Sequence, residues 1–366
     1  MKIAINGRFL TQNVTGVQRY SIEIVQEIDR IIEGNDAYEI DLLVPRNASI
    51  ITNLSLKNIR VVRFGRGSGH LWEQLMLPWY RFDMLACLGN TAPLLSLIRK
   101  KVLAVVHDLS YKYFPEAYST PFRLWYGFMI PFVLKWSRLL FTVSNSEKAA
   151  IESHYPAIRG KVKVGPCGGF TREILDEIES GEINTSSKKN QFIYVGSLNP
   201  RKNLKGFLKA FTQIHDKYDF DAIIIGGGEK AFADYGLKEY QNSDRIKFLG
   251  HINDPRIIAR HLGESYALVF PTYYEASPIP PIEAMNSNCA VIASDIDANI
   301  ERCGEAALYC KADDLQSIVN AMIELIKEPD LQREYLQKGK QNSRKFTWQN
   351  TAELLWSEIR ALNEEK

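Results

Sequence analysis

Cysteine is scarce in this chain. Five residues (Cys87, Cys167, Cys289, Cys303 and Cys310) occur among 366, with no Cys-x-x-Cys pair and no histidine at metal-ligand spacing. An odd set so dispersed excludes a disulfide framework and a zinc finger, and it fits a protein of the reducing cytoplasm. Also missing is any run of eighteen uncharged apolar residues, so no segment reads as a membrane span. The opening MKIAINGRFL has one lysine and turns polar by Asn6, which reads as a first strand rather than a secretory leader. No repeat of 20 to 50 residues is visible, and no Gly-x-Gly-x-x-Gly follows a strand-like run, which argues against a nicotinamide oxidoreductase. An excess of one charge sign is nearly absent overall, at +2 net, but residues 1–170 hold 21 basic against 13 acidic residues and the remainder 24 against 30. A basic first half suits an anionic partner such as a lipid headgroup, a phosphate or a polysaccharide; the bland alternative is scattered surface charge.

What is present is length and apolar content sufficient for two cores, since 366 residues at 45% hydrophobic exceed the ~250–300 at which single cores stop growing. KIAIN, YEIDLLV, IRVVRF, VLAVV and RLLFTV read as buried strands separated by amphipathic helices such as VQRYSIEIVQEIDRII. A second series follows in QFIYVG, DAIIIGGG, RIKFLG, YALVFP and AVIAS, with a helix from about Asn203 to Asp216. This βαβ rhythm predicts an α/β fold with two doubly wound, Rossmann-like parallel-sheet domains, whose ligands sit at the carboxyl ends of strands. The expected division is 1–170, a polar and acidic linker at 171–189, 190–345, and a last helix at 346–366.

Chemistry-bearing residues cluster after the strands. Arg201 and Lys202 stand in the loop between QFIYVG and the next helix, where helix amides and dipole already favour an anion; they suit a phosphate, although adjacent basic residues on a loop can simply be solvated. Gly226, Gly227 and Gly228 invite a phosphate reading but fit backbone packing or a turn better. Gly16, just before a helix, would let a ligand approach the backbone, or is only a loop glycine. His107 and Asp108 end another strand, where a histidine can be structural or functional. Ser144 with Glu147 reads as a capping box. The stretch EASPIPPIEAM places Glu275 at the end of a strand and loop and Glu283 in the first turn of a helix entered through Pro280 and Pro281. A glycosidase pair is a possible use of two carboxylates, but this placement suits acceptance of hydrogen bonds from vicinal diols.

Taken in order, GRFL…TGVQRY, HD, TVSNSEKA, YVGSLNPRKNL, IKFLGHI, and the Glu-x7-Glu element followed by AM and VIASD resemble the retaining glycosyltransferases of family 4 across nearly the whole chain. The resemblance is to bacterial polysaccharide and O-antigen mannosyl- or rhamnosyltransferases. It implies a GT-B architecture with two domains facing a central cleft, the second binding a nucleotide-diphosphate sugar and the first a glycan acceptor, for which a lipid-linked glycan is one expectation. No cofactor, no metal and no nucleic acid are implied. By position, Arg201 and Lys202 would hold the diphosphate, Glu283 the ribose, and Glu275 the transferred hexose. His107 would reach the donor sugar, Gly16 would lie beside the diphosphate or acceptor, Ser277 and Ile279 would belong to the donor loop, and Gly250 with His251 would line the base. A last helix crossing back to the first domain is also implied. Where many members have Gly, Phe and Gly, this chain has Ala276, Ser277 and Pro278, and Asn288 and Ala290 replace a usual glycine and proline. Pro278 lacks an N–H, so one donor towards the ligand is lost. Attachment to an anionic membrane at the inner face of the cell membrane, through the basic first half and PFRLWYGFMIPFVLKWSRLLF, is expected if the acceptor is lipid-linked; the same stretch also reads as a buried helix and strand. The alternative function is a noncatalytic nucleotide-sugar-binding subunit.

Overall fold

A computed structural model describes residues 1–51, 54–99, 101–227 and 236–364, and divides them into two compact units. The first runs from Met1 to Cys167 and takes in the last helix, Trp348–Glu364; the second is Gly168–Thr347.

In the first unit, β1 (Lys2–Asn6), β2 (Glu39–Val44), β3 (Arg60–Arg63), β4 (Met84–Cys87), β5 (Val102–Val105), β6 (Leu139–Thr142) and β7 (Val162–Val164) form a sheet in the order β3-β2-β1-β4-β5-β6-β7. Every pairing is parallel. The central strands KIAIN, MLAC, VLAV and LLFT are almost wholly buried because helices cover both faces, whereas the edge strand β3 shows Arg60 and Arg63 to solvent. The helix Gly16–Ile31 carries Tyr20, Ile24, Val25 and Ile28 on its buried face. Against it lies Trp348–Glu364: the Tyr20 and Trp348 rings meet edge-on at 5.9 Å, and the Thr351 hydroxyl donates to the Pro166 carbonyl at 2.6 Å.

The second unit repeats the plan. Its strands β8 (Gln191–Val195), β9 (Asp221–Ile225), β10 (Ile246–Gly250), β11 (Ala267–Phe270), β12 (Ala290–Ser294) and β13 (Leu308–Cys310) order as β10-β9-β8-β11-β12-β13, again parallel. Both sheets therefore reverse strand order beside their first strand, at β1/β4 and at β8/β11, and such switch points open crevices at carboxyl ends. Two doubly wound Rossmann-like folds are what the βαβ rhythm predicts. The five cysteines are free and buried.

Residues 171–189 differ from their polar appearance. They hold the helix Arg172–Ser180, capped by the Thr171 hydroxyl and closed by Gly181 at φ 83°, and Ile174 and Ile183 are buried in the second unit's core. One narrow apolar face suffices to dock a short helix, so its acidic remainder, with Glu177 paired in fork fashion to Arg256 at 2.6 and 2.7 Å, dominates the composition.

Candidate functional site

The second unit brings Arg201, Lys202 and Glu275 together at its switch point, while Gly250 and His251 follow the edge strand β10 and Gly16 belongs to the first unit. After β8 the chain makes a 3-10 turn, Pro200–Lys202, whose first amides are met by Asn199: its side-chain oxygen accepts from Arg201 N at 2.9 Å. Asn203 then adopts the left-handed conformation at φ 54° and caps the helix Leu204–Phe211, accepting from Gly206 N at 3.1 Å. Its amide also donates to the carbonyls of Pro271 at 3.0 Å and Ala312 at 2.8 Å, so one buried asparagine ties the loop after β8 to those after β11 and β13. On this frame Arg201 and Lys202 converge on Glu275 in the loop after β11. The Lys202 ammonium donates to Glu275 Oε1, and Arg201 Nη1 stands 3.9 Å from Glu275 Oε2 while donating to the Tyr274 carbonyl. Each cation also lies over an aromatic ring, Arg201 at 5.5 Å from the Tyr274 centroid and Lys202 at 5.6 Å from that of Phe270. Burial of Tyr194 in this neighbourhood, reinforced by the Glu275 charge, lifts its phenol well above the ordinary value.

Glu283 occupies the first turn of the helix Pro280–Asn286 and is almost fully buried. Pro280 and Pro281 take the first two helical positions, where a missing N–H costs little. In the loop before this helix Ser277 is half-buried and Ile279 buried, and the Pro278 carbonyl accepts from the buried Arg302 at 3.4 Å. Pro278 thus supplies an acceptor to the protein's own interior. Asn288 sits at φ 55°, a conformation that explains why a glycine or asparagine is needed there. Gly250, at φ 69°, ends β10 with its carbonyl taking Gly226 N at 2.7 Å, and His251 follows, exposed. Gly226 and Gly227 serve backbone packing: a Cβ on Gly226 would meet the Gly196 carbonyl oxygen at 1.8 Å, and one on Gly227 the Leu198 side chain at 2.3 Å. Gly228 lies outside the described residues.

In the first unit, His107 is buried, with Nε2 donating to the Leu88 carbonyl at 2.8 Å and its backbone N–H to Asn90 Oδ1 at 2.7 Å. Burial holds its pKa below the ordinary value, outweighing the Leu88 bond and the Asp108 charge, which favours the neutral ring; with Nε2 donating to Leu88, that form carries its lone pair on Nδ1. Gly16 opens its helix on the exposed surface with nothing within 4 Å of a built Cβ. Ser144 caps its helix as expected, accepting from Glu147 N at 3.1 Å.

Sequence reasoning missed a second polar cluster at the β1/β4 switch point. Glu73, fully buried, receives Asn6 Nδ2 at 2.8 Å, Arg8 Nε at 3.2 Å, the Thr91 hydroxyl at 3.1 Å and His70 Nδ1 at 3.4 Å. Burial pushes its carboxyl up, but the bonds and charges from His70, Arg8 and Thr91 outweigh that and hold it at about 2. The available signal was His70 three residues before Glu73 in SGHLWEQL, one face of a helix.

Comparison with known proteins adds kinship to this geometry. Residues 176–345 match the family model for glycosyl transferases group 1. The chain is 26% identical over 341 residues to the O-antigen chain mannosyltransferase RfbU of Salmonella typhimurium, covering 89% of this chain and 91% of that one. It is 23% identical over 377 residues to O-antigen chain mannosyltransferase B of Escherichia coli, covering 96% and 97%. Among solved structures, a sucrose-phosphate synthase from Thermosynechococcus elongatus superposes with a TM-score of 0.76 at 18% identity, covering 100% and 99% of the chains. HepE of Anabaena, solved in complex with UDP and glucose, gives 0.69 at 15% identity over 98% and 99%. The fold is thus the GT-B fold of these neighbours.

Proposed function

We propose, from the match of residues 176–345 to the family model for glycosyl transferases group 1, that the protein is a retaining, metal-independent transferase of family 4. It moves a hexose or deoxyhexose from a nucleoside-diphosphate sugar to a growing bacterial surface glycan. The observation that carries this reading is the convergence of Arg201, Lys202 and Glu275 at the β8/β11 switch point. Cations suit a diphosphate and a carboxylate suits sugar hydroxyls, and both kinds of group share one crevice position. The O-antigen mannosyltransferase relatives support surface polysaccharide as the product, and the UDP held by a structural neighbour supports a nucleotide donor.

In this mechanism Arg201 and Lys202 take the diphosphate, and Glu283 accepts hydrogen bonds from the ribose diol. The anomeric C–O bond to the diphosphate breaks, and the charge growing on its oxygens is met by the two fixed cations. The acceptor hydroxyl attacks on the same face, forming the new C–O bond, while its proton passes to an oxygen of the leaving phosphate. Because the Glu275 charge is offset by Lys202 and Arg201, we assign it to binding the hydroxyls of the transferred sugar rather than to forming a covalent intermediate. His107 offers Nδ1 as an acceptor to a sugar hydroxyl. Gly16 leaves room beside the diphosphate or acceptor, Ser277 and Ile279 line the donor loop, and Gly250 and His251 border the base.

We take the acceptor to be lipid-linked and the protein to work in the cytoplasm at the inner face of the membrane. The basic first half supports this, as do Leu71, Trp79, Leu124 and Phe128, all exposed in the first unit. No helix of the described residues is long and apolar enough to cross a membrane.

The test is to offer purified protein UDP-, GDP- and dTDP-sugars and to follow donor turnover, with and without EDTA. Turnover with one nucleotide class, retained in EDTA and abolished in Glu275→Ala, is expected. Nucleotide binding without turnover of any donor would replace the transferase with a noncatalytic binding subunit.

A further inference from the structure

An open pocket of about 480 Å³ lies in the first unit, lined by Tyr111, Lys112, Pro115, Thr120, Arg123, Leu124 and His154. We propose that it binds a phosphate ester or diphosphate group, a site separate from the one that holds the nucleotide. The inference rests on the transferase reading only in naming the carrier of that phosphate as an acceptor.

Three basic side chains reach the pocket from three different elements. Lys112 comes from the short helix Ser110–Tyr113, Arg123 from the first turn of Thr120–Trp136, and His154 from the end of Asn145–His154. Among the described residues no carboxylate lines the pocket, and neither Lys112 nor Arg123 is in an ion pair. Lys112 is instead positioned by rings, its ammonium 5.2 Å from the Tyr155 centroid and 6.0 Å from that of Tyr111. His154 is fixed through Nδ1, which donates to the Ala150 carbonyl at 3.0 Å, so Nε2 donates to a phosphate oxygen in the doubly protonated ring.

The backbone adds to this charge. Thr120 begins a 17-residue helix, and its N-cap, Ser119, makes no side-chain bond to the first-turn amides. A helix start with uncapped amides attracts an anion, and the basic residues around it supply the charge-assisted donors. The Tyr111 hydroxyl is buried in the pocket wall beside the Tyr155 phenol. Nothing in the donor mechanism uses any of these residues.

The pocket wall also carries Leu124, 70% exposed, and Phe128, 51% exposed, lies one turn further along the same helix face. An apolar ridge leading away from a cationic pocket fits an amphiphile whose phosphate lodges in the pocket and whose chain follows the ridge. A soluble phosphate ester would use the pocket alone.

The experiment is calorimetric titration of the full chain with inorganic pyrophosphate, on the wild type, on Lys112→Gln/Arg123→Gln and on Lys202→Gln. Two classes of site are expected in the wild type. The double variant should lose one, with at least ten-fold weaker binding, while nucleoside diphosphate binding stays unchanged; Lys202→Gln should lose the other. The charge-conserving Lys112→Arg/Arg123→Lys variant should keep both. An isotherm for the double variant identical to the wild type would overturn the proposal, whatever becomes of the Lys202 site. Flotation with phosphatidylcholine vesicles containing phosphatidic acid identifies the carrier. Flotation lost in the double variant and retained in Lys202→Gln marks the phosphate as lipid-borne; flotation that is absent, or unchanged in the double variant, with pyrophosphate binding still lost in that variant, marks it as soluble.

Discussion

The two sheets place a glutamate against a cation at the same topological position, and they do different things with it. In the first unit Glu73 is fully enclosed, with Arg8, Asn6, Thr91 and His70 all turned towards it. In the second, Glu275 meets Lys202 and Arg201, which keep 15% and 23% of their side chains exposed. A carboxylate whose every oxygen is met from within locks the loops after β1 and β4 together. One that holds two part-exposed cations keeps them ready for an exchange of partners with an incoming anion. The same switch point therefore serves as a clasp in one domain and, in our proposal, as a receptor in the other.

The largest expected effect comes from opening the clasp. Glu73→Ala leaves Arg8 buried without its partner and should cost about 3–5 kcal/mol, read from urea unfolding. With its carboxyl at about 2 against an ordinary 4.5, ionised Glu73 contributes stability that is complete above pH ~4.5 and lost as pH falls towards 2, about 3 kcal/mol in all. Acid unfolding of the wild type should accordingly steepen across that window, and Glu73→Gln should flatten it. Next in size, Gly226→Ala drives a methyl into the Gly196 carbonyl at φ 131° and should destabilise the second unit by at least about 2 kcal/mol by the same assay. Lys202→Ala should spare the fold and weaken nucleoside diphosphate binding about 10- to 100-fold by calorimetry, from one lost charge-assisted contact. That outcome is what separates receptor from clasp; a loss of stability comparable to that of Glu73→Ala would erase the distinction. Smallest, Glu283→Ala should reduce affinity for a nucleoside diphosphate about ten-fold and leave inorganic pyrophosphate binding as it was.

Much of the architecture was legible because buried parallel strands read as apolar runs. KIAIN, VLAVV, QFIYVG and AVIAS all lie in β-strands. The strands β4, β7 and β13 were not legible, since VKV is only three residues long and MLAC and LYC have no β-branched side chain. Arg201, Lys202 and Glu275 could be singled out one by one from loop position, but their convergence across 73 residues is a property of the sheet. The Glu73 cluster is assembled from residues 6, 8, 70, 73 and 91, of which only 70 and 73 are linked by a helix spacing. Asn203 and Asn288 were hidden for another reason: their role is a left-handed backbone, which shows only in φ.

The helix Trp348–Glu364 gives the chain an order of events. The apolar face of Gly16–Ile31 is finished by Trp348, at the far side of the entire second unit in the sequence. During synthesis at ~5–20 residues per second, the first unit waits roughly ten to forty seconds for its last wall. The second unit is contiguous and is completed at Thr347, before that wall begins. A nascent chain should thus complete the second unit first, although it is encoded second, and an interrupted chain would carry that folded unit attached to an unfinished partner.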